Sequence, residues 1–241
     1  MEELLARVVE LSHRAETRNI LTHTGFLTPS ECAAAQKSGL LNAYAFGGYP
    51  DAERKMLFFL PDYCTPEDTH DAIAALAVNA PFSSLTHRDY LGSLLALGIK
   101  RDCVGDILVD ETRATLLLDA KIAPFVRENL TRAGRSGLSV SELPCTAITP
   151  PVQTFSVREC TVASPRADAL FAAAFGLSRE RAADALREGR CEVNWIPATS
   201  PAAPLSEGDV LSLRGTGRAK LSAFGGASKK GRTFITIHVY E

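Results

Sequence analysis

The feature that most constrains this chain is the run from Arg166 to Val210, where two short helical patterns lead into a hairpin pattern. In the first, Ala167, Leu170, Phe171, Ala174 and Phe175 recur at i, i+3, i+4, i+7 and i+8, one apolar stripe that leaves the other face free. Gly176 closes that helix and Ser178 caps the next, which runs through SRERAADALRE to a glycine stop at Gly189. The alternating segment Cys191 to Trp195 then predicts a strand, and Gly208, Asp209 and Val210 follow. Two short helices packed on a hairpin make a compact module.

These residues resemble the S4-like RNA-binding domain found in a small-subunit ribosomal protein, some pseudouridine synthases and tyrosyl-tRNA synthetases. Its pattern reads R-L-D, S-R-S-x-A, G-x-V-x-V-N-G and G-D. Arg166, Asp168, Ser178, Arg179, Ala182, Gly189, Val193, Asn194, Gly208 and Asp209 stand at the matching positions. Ala183 replaces a residue that is often polar, and Trp195 stands where asparagine is usually followed by glycine.

With that tryptophan, the upstream segments Thr86 to Asp89, Leu97 to Lys100 and Gly105 to Asp110 extend the likeness over most of the chain, which is similar to the YlmH family. The resemblance implies a ribosome-associated RNA-binding protein that acts in quality control on large subunits still holding peptidyl-tRNA. It implies rRNA and tRNA as partners, with other quality-control factors beside them.

The net charge of −2 is no mark of a nucleic-acid binder, but its distribution is uneven. From residue 158 onward twelve Lys or Arg face nine Asp or Glu, a balance of +3, which leaves −5 on the preceding residues. No apolar run approaches the roughly 18 residues of a membrane span, and MEELLARVVE is an acidic amphipathic start rather than a signal peptide. A cytoplasmic protein without membrane contact is expected. The six cysteines are nowhere spaced two to four apart, so reduced thiols are expected, with no metal and no cofactor.

The fold class expected is α+β in three units. Residues 1–78 form a helix and hairpin unit: helical to about residue 40, with Leu4, Leu5, Val8, Val9 and Ser12 near one face and a helix start at Thr28, then strands Ala43 to Phe46 and Lys55 to Leu60. Residues 80–150 read β-α-β-β-α-β, a ferredoxin-like order shared with RNA-recognition motifs, with strands at 82–85, 104–109, 112–118 and 137–143. Thr86 and Asp89 form a capping-box pair there. The strand GDILVD lacks the aromatic signature that stacks bases, so that sheet by itself does not establish RNA binding. Residues 144–151 are a stiff connector, and 158–241 form the S4-like domain.

The expected RNA-binding set is Arg166, Asp168, Ser178, Arg179, Ala182, Arg187, Asn194, Trp195 and Lys220. Arg187 lies about 80° from Arg179 on a helical wheel, and Arg181 about 160° away. Asp168 orients a neighbouring arginine or caps its helix. Asn194 suits either RNA contact or closure of its own turn, and Trp195 either stacks on a base or packs under the hairpin. Lys229, Lys230 and Arg232 are either a solvated tip or a phosphate clamp. No catalytic centre is expected: His87, Arg88 and Asp89 lack the rest of a kinase loop, Gly215 to Lys220 lacks P-loop spacing, and no G-x-S-x-G occurs. The alternatives left open are an RNA-modifying enzyme and a scaffold linked to cell division.

Overall fold

The computed structural model describes all residues except 38–42, 82–84, 111, 150–153, 228–230 and 241. Helix α1 (Glu2–Arg18) carries Glu2 and Glu3 in its first turn and Arg18 in its last, complementing the helix dipole, and ends on Asn19 in the left-handed region. Val8, Leu11 and Ala15 are buried, but Val9 is 53% exposed, because a step of one residue turns it about 100° off the stripe. The expectation of helix to residue 40 gives way likewise: after Asn19 come β1 (Thr22–His23) and then α2 (Pro29–Lys37). Thr28 starts α2, its amide and hydroxyl both donating to Glu31 Oε2 at 2.7 and 2.8 Å. Strands β2 (Ala43–Phe46) and β3 (Met56–Phe59) form the expected hairpin in a sheet of order β1-β3-β2.

A 3-10 segment leads into β4 (Ile73–Asn79), α3 (His87–Ala96), β5 (Val104–Asp110), β6 (Arg113–Asp119) and α4 (Ala123–Asn129). The short hairpin β7 (Arg132–Ala133) and β8 (Ser136–Gly137) precedes β9 (Ser139–Leu143). Strands β5-β6-β4-β9 make one antiparallel sheet. The first strand of this unit is therefore residues 73–79, not 82–85; of the latter, 82–84 lie outside the described residues and Leu85 belongs to no strand. The alanines of IAALAVN hide the strand from propensity, while pairing on both sides selects it. Thr86 does cap α3, its amide and hydroxyl donating to Asp89 Oδ2 at 2.8 and 2.7 Å.

Both faces of that sheet are covered. Leu76, Val78, Leu116 and Leu118 pack with Tyr90 and Leu94 of α3 and Val126 of α4. On the other side Ile73, Ala75 and Leu117 pack with Phe26, Met56 and Phe58. Gly105 permits the close approach: a Cβ there would stand 2.6 Å from the Phe26 ring. Asp106, beside it on β5, accepts from Tyr49 Oη, Glu53 N and Arg54 N at 2.8, 2.8 and 3.0 Å. The Arg54 guanidinium donates to the carbonyls of Val104 and Phe26 at 3.0 and 2.8 Å. Burial, the largest influence, lowers the Arg54 pKa, and burial together with the Asp106 hydrogen bond raises that of Tyr49.

The chain divides into two compact units, Met1–Pro151 and Val152–Glu241. The second comprises β10 (Phe155–Val162), α5 (Ala167–Phe175), α6 (Arg179–Arg187), β11 (Cys191–Val193), β12 (Ile196–Pro197), β13 (Val210–Leu213), β14 (Gly217–Ala227) and β15 (Thr233–Tyr240). The strands form one antiparallel sheet of order β10-β15-β14-β13-β11-β12. Leu170, Phe171, Ala174, Ala182 and Leu186 of the two helices share a core with Leu211, Leu213, Ala219, Leu221, Ile235 and Ile237 of the sheet. Gly176 caps α5 in the left-handed region, φ 66°. Among the described residues no helix is long and apolar enough to cross a membrane.

Candidate nucleic-acid interface

The start of α5 is anchored by the segment after β12. Ala167 N donates to Ala203 O at 2.9 Å and Asp168 N to Pro201 O at 3.0 Å, so the first amides of the helix are used internally. That anchoring places Asp168 where its carboxylate meets two guanidiniums. Arg166, the residue preceding the helix, reaches it with Nε and Nη2 at 3.3 and 3.2 Å, and Arg179, the first residue of α6, with Nη2 at 2.8 Å. The Asp168 side chain is 10% exposed, while Arg166 and Arg179 remain 42% and 61% exposed. One nearly buried carboxylate thus holds two like charges side by side and leaves donors of both forks facing solvent.

Burial pushes the Asp168 carboxyl up, but the hydrogen bonds and charges of Arg179 and Arg166 outweigh it and hold the group below its ordinary value. The clamp therefore stays ionised at neutral pH. Its net charge is +1, and since the arginines are already oriented, less side-chain freedom is lost when an oxyanion takes the remaining donors.

Ser178 caps α6, its Oγ accepting from Arg181 N at 3.2 Å, and so supports Arg179 from behind. Ala182 is corrected: it has no exposed surface and lies in the core, so it sets the distance between helix and sheet and touches no ligand. Arg187 is 63% exposed and pairs along its own helix with Asp184 at 2.9 Å, apart from the clamp.

The strand expected to reach Trp195 ends at Val193. Asn194 and Trp195 are the two turn residues between β11 and β12, with φ of 49° and 60°, the all-positive geometry of a type I′ turn. The Asn194 side chain fastens that turn to the start of β13: Nδ2 donates to Asp209 Oδ1 at 2.8 Å and Oδ1 accepts from Val210 N at 2.9 Å. Its amide therefore does not close its own turn, as one of the two open readings had it, but ties the turn to the start of β13. Trp195 is half-buried at the tip and is not among the residues of the core cluster. Lys220 is exposed between buried Ala219 and Leu221, which puts it on the sheet face turned away from α5 and α6 and hence away from the clamp. Lys229 and Lys230 lie outside the described residues.

Strand β10 was not expected at all: Phe155 to Arg158 alternate apolar and polar, but Glu159 and Cys160 reverse the pattern, so no clear period marks it. With it, sequence reasoning missed the whole outward row that β10 and β15 present together.

Two family models match the chain: "YlmH, N-terminal" over residues 1–64 and "Putative RNA-binding domain in YlmH" over residues 65–147. Ribosome-associated protein quality control protein P2 of Bacillus subtilis (strain 168) is 35% identical over 220 residues, spanning 89% of this chain and 85% of that protein. A solved structure, Cell division protein ylmH from Streptococcus pneumoniae, shares the fold with a TM-score of 0.53 at 24% identity, covering 60% of this chain and 92% of that one.

Proposed function

The chain belongs to the YlmH family, and from that premise we propose that it is a non-catalytic, ribosome-associated RNA-binding protein whose grip on RNA centres on Arg166 and Arg179. The reading extends to rRNA and tRNA on the large ribosomal subunit as the target, in the quality control that the Bacillus relative is named for. Its parts are an S4-like module in residues 158–241 and a ferredoxin-like unit before it; the β5-β6-β4-β9 strand order supports the latter assignment.

The observation that carries the reading is the clamp at Asp168. Exposed ion pairs contribute little to stability, so two exposed arginines drawn together by a nearly buried carboxylate serve recognition better than folding. Oriented guanidiniums match the oxygens of a phosphate. Among the described residues both faces of the middle sheet are packed against other elements, which argues against base stacking on it.

Sucrose-gradient sedimentation of a lysate at low and moderate salt tests the reading. The protein should travel with large subunits that retain tRNA, leave them as salt rises, and shift toward the soluble fractions when Arg179→Ala is introduced. Residence in the soluble fractions at low salt would refute it.

Trp195 supplies a test of opposite signs. A non-glycine residue in the left-handed region is strained, and glycine there relieves the strain at some entropic cost. Trp195→Gly should raise stability by about 0.5–1 kcal/mol while lowering RNA affinity roughly fivefold or more, the loss of one stacked base. Urea unfolding and fluorescence anisotropy read the two effects; unchanged affinity would leave Trp195 as a turn residue only.

A further inference from the structure

The sheet of the C-terminal unit has a second, open face. On β14 and β15, Ala219, Leu221, Ile235 and Ile237 turn into the core, so Lys220, His238 and Tyr240 turn outward. The register extends this face onto β10, where Phe155 stands opposite Tyr240 and Val157 opposite His238, while Lys220 of β14 also stands opposite His238. Phe155 and Val157 are 43% and 56% exposed. The rings of Phe155 and His238 lie nearly parallel, centroids 4.1 Å apart and planes 9° from each other. Arg218 follows on the same face, two residues from Lys220. Glu159, opposite Thr236, separates this cluster from Phe234 and marks its limit.

We propose that this end of the open face, formed by Phe155, Val157, Lys220, His238 and Tyr240, is a second RNA site that takes an unpaired stretch of RNA. Bases stack on the aromatic side chains and the phosphates run past Lys220. Flat rings interleaved with a cation on an open sheet suit a strand whose bases are unstacked from one another; they have no purchase on a duplex, which offers phosphates and groove edges instead. A protein-docking patch differs, in that its centre is depleted of charge, whereas here Lys220 stands beside the rings. The site does not depend on the arginine clamp, which belongs to the helices on the opposite side of this sheet. It also gives a place to Lys220, which the geometry removes from that clamp.

The test uses the full chain and two labelled probes, a short oligouridylate and a blunt RNA duplex, followed by fluorescence anisotropy. Combining Phe155→Ala with Tyr240→Ala should weaken oligouridylate binding roughly tenfold or more and leave duplex binding unchanged. Lys220→Glu should weaken the oligouridylate as well and reduce its salt dependence, and Phe155→Trp should retain it. Arg179→Ala should act on the duplex in preference, which separates failure of this site from failure of the clamp. Circular dichroism melting checks the fold of each variant; if the double variant does not fold, Lys220→Glu alone decides. Undiminished oligouridylate affinity in folded variants would overturn the proposal, as would variants that keep RNA affinity but lose self-association or a bound protein.

Discussion

Replacing Arg166 and Arg179 together by alanine should lower affinity for structured ribosomal RNA by about 2–4 kcal/mol, roughly 30- to 1,000-fold. Each guanidinium faces solvent from a shared carboxylate, and residues that share a partner are coupled, so the two substitutions need not add. If each arginine neutralises one phosphate, the slope of log affinity against log salt should fall by about 2. Arg181→Ala is the internal control: the same charge is removed from the same helix at a residue that the carboxylate does not hold. Asp168→Asn adds a positive increment of net charge and should nevertheless weaken binding, because the pair loses its organising anion. Filter binding across a salt series measures all of these; a double variant within twofold of the parent at every salt would remove the clamp from the RNA site.

Asp106→Ala should destabilise the N-terminal unit by about 3 kcal/mol, seen as an earlier urea midpoint. Hydrogen bonds to a charged acceptor contribute about 1.5–3 kcal/mol each, less where water can substitute. Asp106 accepts three such bonds, from a tyrosine hydroxyl and two amides. Those donors come from the β2–β3 connection, and β5 holds the acceptor, so the substitution loosens that connection against β5. Asp106→Asn keeps one accepting oxygen and should cost less. RNA affinity of the folded fraction should not move, since Arg166 and Arg179 lie in the other unit. A loss of unfolding free energy below about 0.5 kcal/mol, the size of an ordinary surface substitution, would show that water replaces the carboxylate at little loss.

Much of this was legible beforehand where the deciding interaction spans three or four residues. Thr86 with Asp89, Thr28 before α2, Ser178 before α6 and Gly176 after α5 are local arrangements, and the structure has each in its expected place. The stripe of α5 was equally readable, Leu170, Phe171 and Ala174 being buried. Strands were less so. β4 is rich in alanine and β10 in polar residues, and each exists because a distant partner supplies its hydrogen bonds.

The candidate site divides along the same line. The sequence by itself determined a helix–helix–hairpin module with Arg166, Asp168 and Arg179 at the helix starts, because capping, periodicity and turn chemistry act within one or two turns of chain. Only the tertiary structure decided which of the nine expected residues meet. It joined Arg166 and Arg179 through Asp168, buried Ala182, spent both ends of the Asn194 amide on Asp209 and Val210, and carried Lys220 to the far face of the sheet. It also closed the middle sheet beneath Phe26, Met56 and Phe58. The physical reason is one: which face a residue occupies, and what lies opposite it, depends on strand register and on burial of apolar area between segments far apart in sequence, and no local pattern carries that information.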